Sequence, residues 1–279
     1  MRTRLTIRSA ALLATPALAA VLTLGACGDD DSAATSDSTV APATSPAAVD
    51  ATAASDGDTD TFCAKSVEIG QATAGPPVEE GDIEGGKALA ARILPIGREL
   101  LAAGPASVKP ELEQMVAAAE GAATSGDLSG FETPAFGAAD AKVHAAGLDA
   151  CGWAVQNVEL EEYHFVGLPE TVPAGVTSFE VTNTGKEMHE IAVLRKNDGV
   201  TETFDELLGL PEEDLLTKVA PMGVGFAAPG VPGYTVVDLT PGEYLAICFL
   251  PVGLLPDAPP PAEYTPHFTQ GMQHPFTVS

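Results

Sequence analysis

The chain has 279 residues, with 39 acidic against 13 basic side chains and a formal net charge of −26 at neutral pH. A surface this acidic repels nucleic acid and anionic headgroups, and it favours cationic partners or metal ions. No nucleophile elbow, HExxH or phosphate-loop pattern is present, so serine, cysteine and metallohydrolase chemistry has no support and the chain is not expected to be an enzyme.

Residues 1–26 read as a secretory signal. Arg2, Arg4 and Arg8 give a basic start, Ala10 to Leu24 is almost wholly apolar, and Leu24-Gly25-Ala26-Cys27 supplies small residues at a cleavage point. The apolar run is too short, and too closely followed by Gly28-Asp29-Asp30-Asp31, to favour a spanning helix. The run before Cys27 resembles a bacterial lipobox. That resemblance implies cleavage before Cys27, acylation of Cys27, and attachment through lipid to the extracytoplasmic face of the cell membrane. An ordinary signal peptide with a chance cysteine is the alternative. Removing residues 1–26 takes away three arginines and no acids, leaving ten basic residues against 39 acids and a net charge of −29. Residues 27–60 are expected to form a disordered tether. From Asp29 to Asp60 the chain is rich in Ala, Ser, Thr, Asp and Pro, with no aromatic residue and no sustained apolar period.

Residues 61–155 are predicted to form a small bundle of about four helices. A first helix covers Phe62 to Thr73. Leu89, Ile93, Ile96, Leu100 and Leu101 recur at helical spacing, with Pro95 expected to kink or split that helix. Pro110 to Glu120 and Phe136 to Cys151 follow, the last stopped by Gly152. Cys63 and Cys151 stand at the two ends of this region, and an oxidising compartment favours a disulfide between them. A metal pair is the alternative, but no His or Cys lies close to either in sequence. His144, among alanines, is expected to be a partly exposed structural residue.

From Val158 to Ser279 the signals become those of strands. Glu159 to Val166, Val176 to Thr182, Glu190 to Leu194, Tyr234 to Leu239, Tyr244 to Phe249 and Phe276 to Val278 are short, rich in β-branched and aromatic residues, and separated by Gly, Pro and Asn. That spacing predicts an all-β sandwich. Phe204 to Leu216 alternates acidic and apolar residues and is expected to form a short helix. The fold class is therefore α+β and multidomain: a helical bundle, then a β-sandwich over residues 158–279.

Cys248 follows the strand-like run Gly242 to Ile247, and with Cys27 assigned to lipid and Cys63 to Cys151 it is left unpaired. A small buried core side chain is one reading of such a thiol; a metal ligand is the other. His189 ends the turn Asn183-Thr184-Gly185-Lys186-Glu187-Met188. His267 and Met272 stand with four residues between them. Two imidazoles, a thiolate and a thioether are the donors of a blue-copper site, where the first three form a trigonal plane and the thioether is a weak axial ligand. His274 could replace His267, but the spacing and the Gly271-Met272 context favour His267. His164, between Tyr163 and Phe165, is expected to be a strand residue. Strand alternation points Met188 away from the face of His189, and Glu187 and Glu190 are expected to be solvated.

In these segments the sequence resembles the cupredoxins, the plastocyanin- and azurin-like blue-copper domains. Val172 to Gly175, Phe179 to Gly185 and His189-Glu190 are similar to the strand and turn that carry the first histidine. Pro241 to Cys248 is similar to the strand that delivers the cysteine, and His267 to Met272 with Phe276-Thr277-Val278 to the second histidine, the axial methionine and the closing strand. The resemblance implies a Greek-key sandwich holding one type 1-like copper ion on His189, Cys248, His267 and Met272. It further implies electron transfer with a redox or copper-transfer protein as partner. Copper storage or delivery without redox turnover, and a metal-free recognition module on the same scaffold, are the alternatives. One departure stands out: Pro251 to Pro266 separates the cysteine from the second histidine, and six of those sixteen residues are proline. Such a segment is stiff enough to hold a defined path, to shield the metal, or to dock a partner through Leu254 and Leu255. The helical region lies outside this resemblance and is similar to two-cysteine helical domains of actinobacterial lipoproteins.

Overall fold

The computed structural model describes residues 57–75, 78, 81–256 and 258–279. The signal segment, Cys27 and the tether as far as residue 56 lie outside the described residues.

Four helices come first: α1 (Thr59–Thr73), α2 (Ile83–Ala103), α3 (Lys109–Ser125) and α4 (Pro134–Cys151). The side chains of Asp58, Asp82 and Thr133 start α1, α2 and α4 by accepting backbone N–H groups three residues on. Pro95 lies inside α2, which runs through it, so this proline does not split the helix. Phe62, Leu100, Val108, Leu112 and Val143 form the buried core between the helices, with Cys63 and Cys151 packed against it. Those two cysteines form a disulfide, 88 residues apart in sequence, with Cα atoms 5.6 Å apart. Among the described residues no helix is long and apolar enough to cross a membrane.

A sandwich of two mixed sheets follows. Its strands are β1 (Ala154–Glu161), β2 (His164–Val166), β3 (Thr171–Val172), β4 (Gly175–Asn183), β5 (His189–Lys196), β6 (Val219–Ala227), β7 (Gly233–Leu239), β8 (Gly242–Ile247) and β9 (Gln273–Val278). One sheet runs β2-β1-β4-β7 and the other β3-β9-β8-β5-β6. The pairs β1 with β4 and β3 with β9 are parallel. The expected helix between Phe204 and Leu216 is broken at Gly209 to Pro211 into α5 (Phe204–Leu208) and α6 (Glu212–Lys218).

Strand alternation explains why nearly all of β5 is buried. Ile191 and Val193 face the core between the sheets, beside Val158, Phe179, Tyr244, Ala246 and Phe276. Ala192 and Leu194 face the opposite way, into a second cluster with Leu207, Val219, Leu245 and Ile247. Strand β6 departs from the sequence reading. It is not among the expected strands, and Pro221, Gly223 and Gly225 are residue types depleted in strands, yet it pairs with β5 along its length. A Cβ on Gly225 would meet the Tyr234 carbonyl oxygen at 2.5 Å, so close passage of the backbones requires glycine there.

The helices meet the sandwich through a buried polar contact. His144 stacks on the Tyr234 ring, with centroids 3.4 Å apart and planes 8° apart. Its Nε2 lies 2.7 Å from Glu180 Oε1, which also accepts the Ser178 hydroxyl at 2.6 Å. The Tyr234 hydroxyl donates to the Asp140 carboxylate. His144 is therefore buried, not partly exposed as expected, because it fills this junction. Burial pushes the Glu180 carboxyl up, but the hydrogen bonds from His144 and Ser178 outweigh it and hold the group below its ordinary 4.5. A carboxylate with a depressed folded pKa adds stability above its unfolded pKa, and that stability is lost as pH falls through the folded value. Glu180→Gln is accordingly expected to unfold at lower urea than wild type at neutral pH, and to converge on wild type as the solution is acidified. A difference independent of pH would contradict this.

Candidate metal centre

Antiparallel pairing brings the first two donors together. Strand β5 opens at His189, and β8 closes at Ile247 with Cys248 next. Ala192 of β5 stands opposite Ile247 of β8, so His189 and Cys248 emerge at the same end of the sheet. The long proline-rich segment then folds back. Pro251 bridges Pro266, and Val252 N–H donates to the Thr265 carbonyl at 2.8 Å. His267 N–H donates to Leu250, and Phe268 N–H to the Cys248 carbonyl at 3.0 Å. A 3-10 turn over His267–Gln270 is closed by Gly271 at φ 114°, a left-handed conformation that suits glycine and lets His267 and Met272 both turn inward. The Met272 carbonyl accepts Cys248 N–H at 3.1 Å, and its N–H donates to the His267 carbonyl at 3.2 Å. The segment is also tied to the first histidine, because Met188 N–H donates to the Leu254 carbonyl at 2.8 Å.

The side chains converge. Nδ1 of His189 lies 3.1 Å from Nδ1 of His267, which lies 3.3 Å from Cys248 Sγ. All three donors fall within 4.8 Å of one another, and none of the three residues has exposed surface. Nitrogen and sulfur donors bind a cation at about 2.0–2.3 Å, so atoms this close can share one ion. Met272 is fully buried and packs in the same core cluster as Cys248. Burial, reinforced by the neighbouring His267, pulls the His189 imidazole down to about 4. Burial likewise lowers His267 against the opposing pull of Glu187. Both rings are thus neutral at neutral pH, the form in which imidazole binds metal. Burial, with the nearby Glu190 charge, pushes the Cys248 thiol well up, so a metal must displace its proton.

Three acids surround the donors, and this corrects the expectation that Glu187 and Glu190 are solvated. Glu190 is buried, and its Oε1 accepts Phe249 N–H at 2.8 Å; burial pushes its carboxyl up to about 7 despite that bond. Glu187 Oε2 lies 3.0 Å from His267 Nε2. Glu162 accepts the Lys186 and Glu187 N–H groups and stands 3.9 Å from His189 Nε2, which is buried without a hydrogen-bond partner. Asn183 pins the same turn, its side-chain amide donating to the Glu187 and Ala227 carbonyls at 2.7 and 2.8 Å. The one sequence signal for this shell is the Asn183-Thr184-Gly185 turn, with acids flanking His189. His164 is exposed on β2, and His274 sits on β9 opposite Ala246; neither belongs to the cluster. Met188 packs, partly buried, against the core between the sheets.

No protein-family model matches the chain, and no curated protein matches it. Among solved structures the chain is similar to the dithionite-reduced auracyanin of Roseiflexus castenholzii, at 20% identity over 45% of this chain and 97% of that one, with a TM-score of 0.28. It is similar to auracyanin A of Chloroflexus aurantiacus, described as a blue copper protein, at 16% identity over 45% of this chain and all of that one, with a TM-score of 0.27. It is also similar to a multicopper oxidase of Campylobacter jejuni, at 11% identity over 45% of this chain and 30% of that one, with a TM-score of 0.26.

Proposed function

We propose that the β-sandwich is a cupredoxin-like domain that holds one copper ion and carries single electrons, in a protein anchored outside the cell membrane through lipid on Cys27. The observation that carries this reading is the convergence of two imidazole nitrogens and one cysteine sulfur, all fully buried, at the end of β5 and β8. His189, Cys248 and His267 would supply the strong bonds, and Met272 a weaker thioether contact. Two imidazoles with one thiolate is a donor set that suits copper. Bound there, copper supplies a one-electron couple. The protein fixes the donors from outside: backbone bonds tie Cys248 to Met272, and Glu190 to the residue after Cys248. Donors held this way move little when the ion changes charge. The reading is of a carrier rather than a catalyst, with a redox or copper-transfer protein as partner. Storage or delivery fits less well, because an exchangeable ion needs exposed ligands and none of these is exposed.

Metal analysis with a visible spectrum of copper-loaded protein tests the proposal. One copper per chain with an intense copper–thiolate absorption is expected, and a colourless protein that retains no copper would overturn it. Met272→Leu is expected to keep the copper and raise the reduction potential, because a weak donor to Cu(II) is lost. An unchanged potential would remove Met272 from the site.

A further inference from the structure

Glu187 is not among the donors, yet it holds three groups at once. Its Oε2 lies 3.0 Å from His267 Nε2 and accepts Gly253 N–H at 2.6 Å. Its Oε1 accepts the Tyr163 hydroxyl at 3.1 Å. An ionised carboxylate can only accept hydrogen bonds. His267 Nε2 must therefore carry the ring proton, which leaves the lone pair on Nδ1, the nitrogen beside Cys248 Sγ and His189 Nδ1. Gly253 belongs to the proline-rich loop, and the Tyr163 ring lies 4.9 Å from the His267 ring. One side chain thus sets the tautomer of His267, orients its ring and ties the loop down beside it. His189 has no equivalent: Glu162 stands 3.9 Å from its Nε2, too far for a hydrogen bond.

We propose that Glu187 is the positioning residue of this centre and that its charge biases the centre toward Cu(II). The proposal rests on the copper reading above. A carboxylate bonded to the far nitrogen makes an imidazole a stronger donor. It also places a negative charge one ring away from the ion. Both effects favour the more highly charged ion and lower the reduction potential.

Glu187→Gln keeps the size of the side chain and removes its charge. Cu(II) affinity is expected to fall about tenfold, the low end of the range for groups behind a metal ligand, with Cu(I) affinity nearly unchanged. A tenfold loss confined to Cu(II) raises a one-electron potential by about 59 mV. Tyr163→Phe removes one bond to Glu187 while keeping the ring, and should shift the potential the same way by less. Nitrogen-15 NMR of the metal-free protein reads the tautomer directly. His267 should be protonated at Nε2 in wild type, and should become a mixture in Glu187→Gln, whose amide can accept or donate. Absence of copper–thiolate absorption in wild type would bring down the copper reading and this proposal together. Absorption present, with potential, affinity and tautomer unmoved in the variants or His267 protonated at Nδ1 in wild type, would overturn the role of Glu187 alone.

Discussion

Cys248→Ser is expected to abolish the visible absorption of the copper-loaded protein and most of its copper binding. The absorption requires a sulfur–copper bond, and Cys248 is the one free cysteine among the described residues. A serine hydroxyl keeps its proton at neutral pH and is a hard, poor donor where a soft thiolate selects copper. The fold should survive. Oxygen is slightly smaller than sulfur, and His267 Nδ1, 3.3 Å from the sulfur in wild type, is placed to bond a hydroxyl. Loss of colour with an unchanged circular dichroism spectrum is therefore the expected pair of results. A variant that keeps both its colour and its copper would mean that the ion sits elsewhere, and the convergence of His189, Cys248 and His267 would then need another explanation.

The clustering of His189, Cys248 and His267 was legible in the sequence because the chemistry of such a set is narrow. Few settings call for an unpaired cysteine after a strand, with a histidine and a methionine shortly beyond it. The long loop between Cys248 and His267 obscured the geometry, since nothing in Pro251 to Pro266 states that its two ends pair. The fold resolves this through the Pro251 to Pro266 bridge and the Gly271 turn. The carboxylates around the site were not legible. Glu187 sits in a polar turn and Glu190 at the start of β5, where an acid is ordinarily expected to be exposed, and the folded loop and the end of β8 bring partners to them. Strand β6 was lost for a different reason. Its proline and glycines are loop signals by local propensity, but the close approach of neighbouring backbone requires the small residues. The same limit applied to His144, whose stacking partner Tyr234 is ninety residues away in sequence. Local pattern thus carried the helices and most strands, while contacts distant in sequence decided what the polar side chains do.

Replacing both bridged cysteines, as Cys63→Ala with Cys151→Ala, is expected to destabilise the helical part by about 4–5 kcal/mol in the chain-entropy model for a loop of this length. The bridge joins the first turns of α1 to the last residue of α4, 88 residues apart, so it closes nearly the whole helical segment into one loop. The core it supports is small: six buried residues make up the helical cluster, against nineteen in the cluster between the sheets. A loss of that size is comparable to the whole stability of many small domains, which is about 5–15 kcal/mol. The helical signal should therefore be lost at much lower urea, whereas the proposed copper ligands all lie on the sandwich, so copper-loaded protein should keep its absorption under conditions where the helices have begun to unfold. Labelling the denatured, unreduced wild type with a thiol reagent should modify Cys248 and spare Cys63 and Cys151. Modification of either bridged cysteine, or an unchanged urea midpoint in the double variant, would show that the helical segment does not depend on this link.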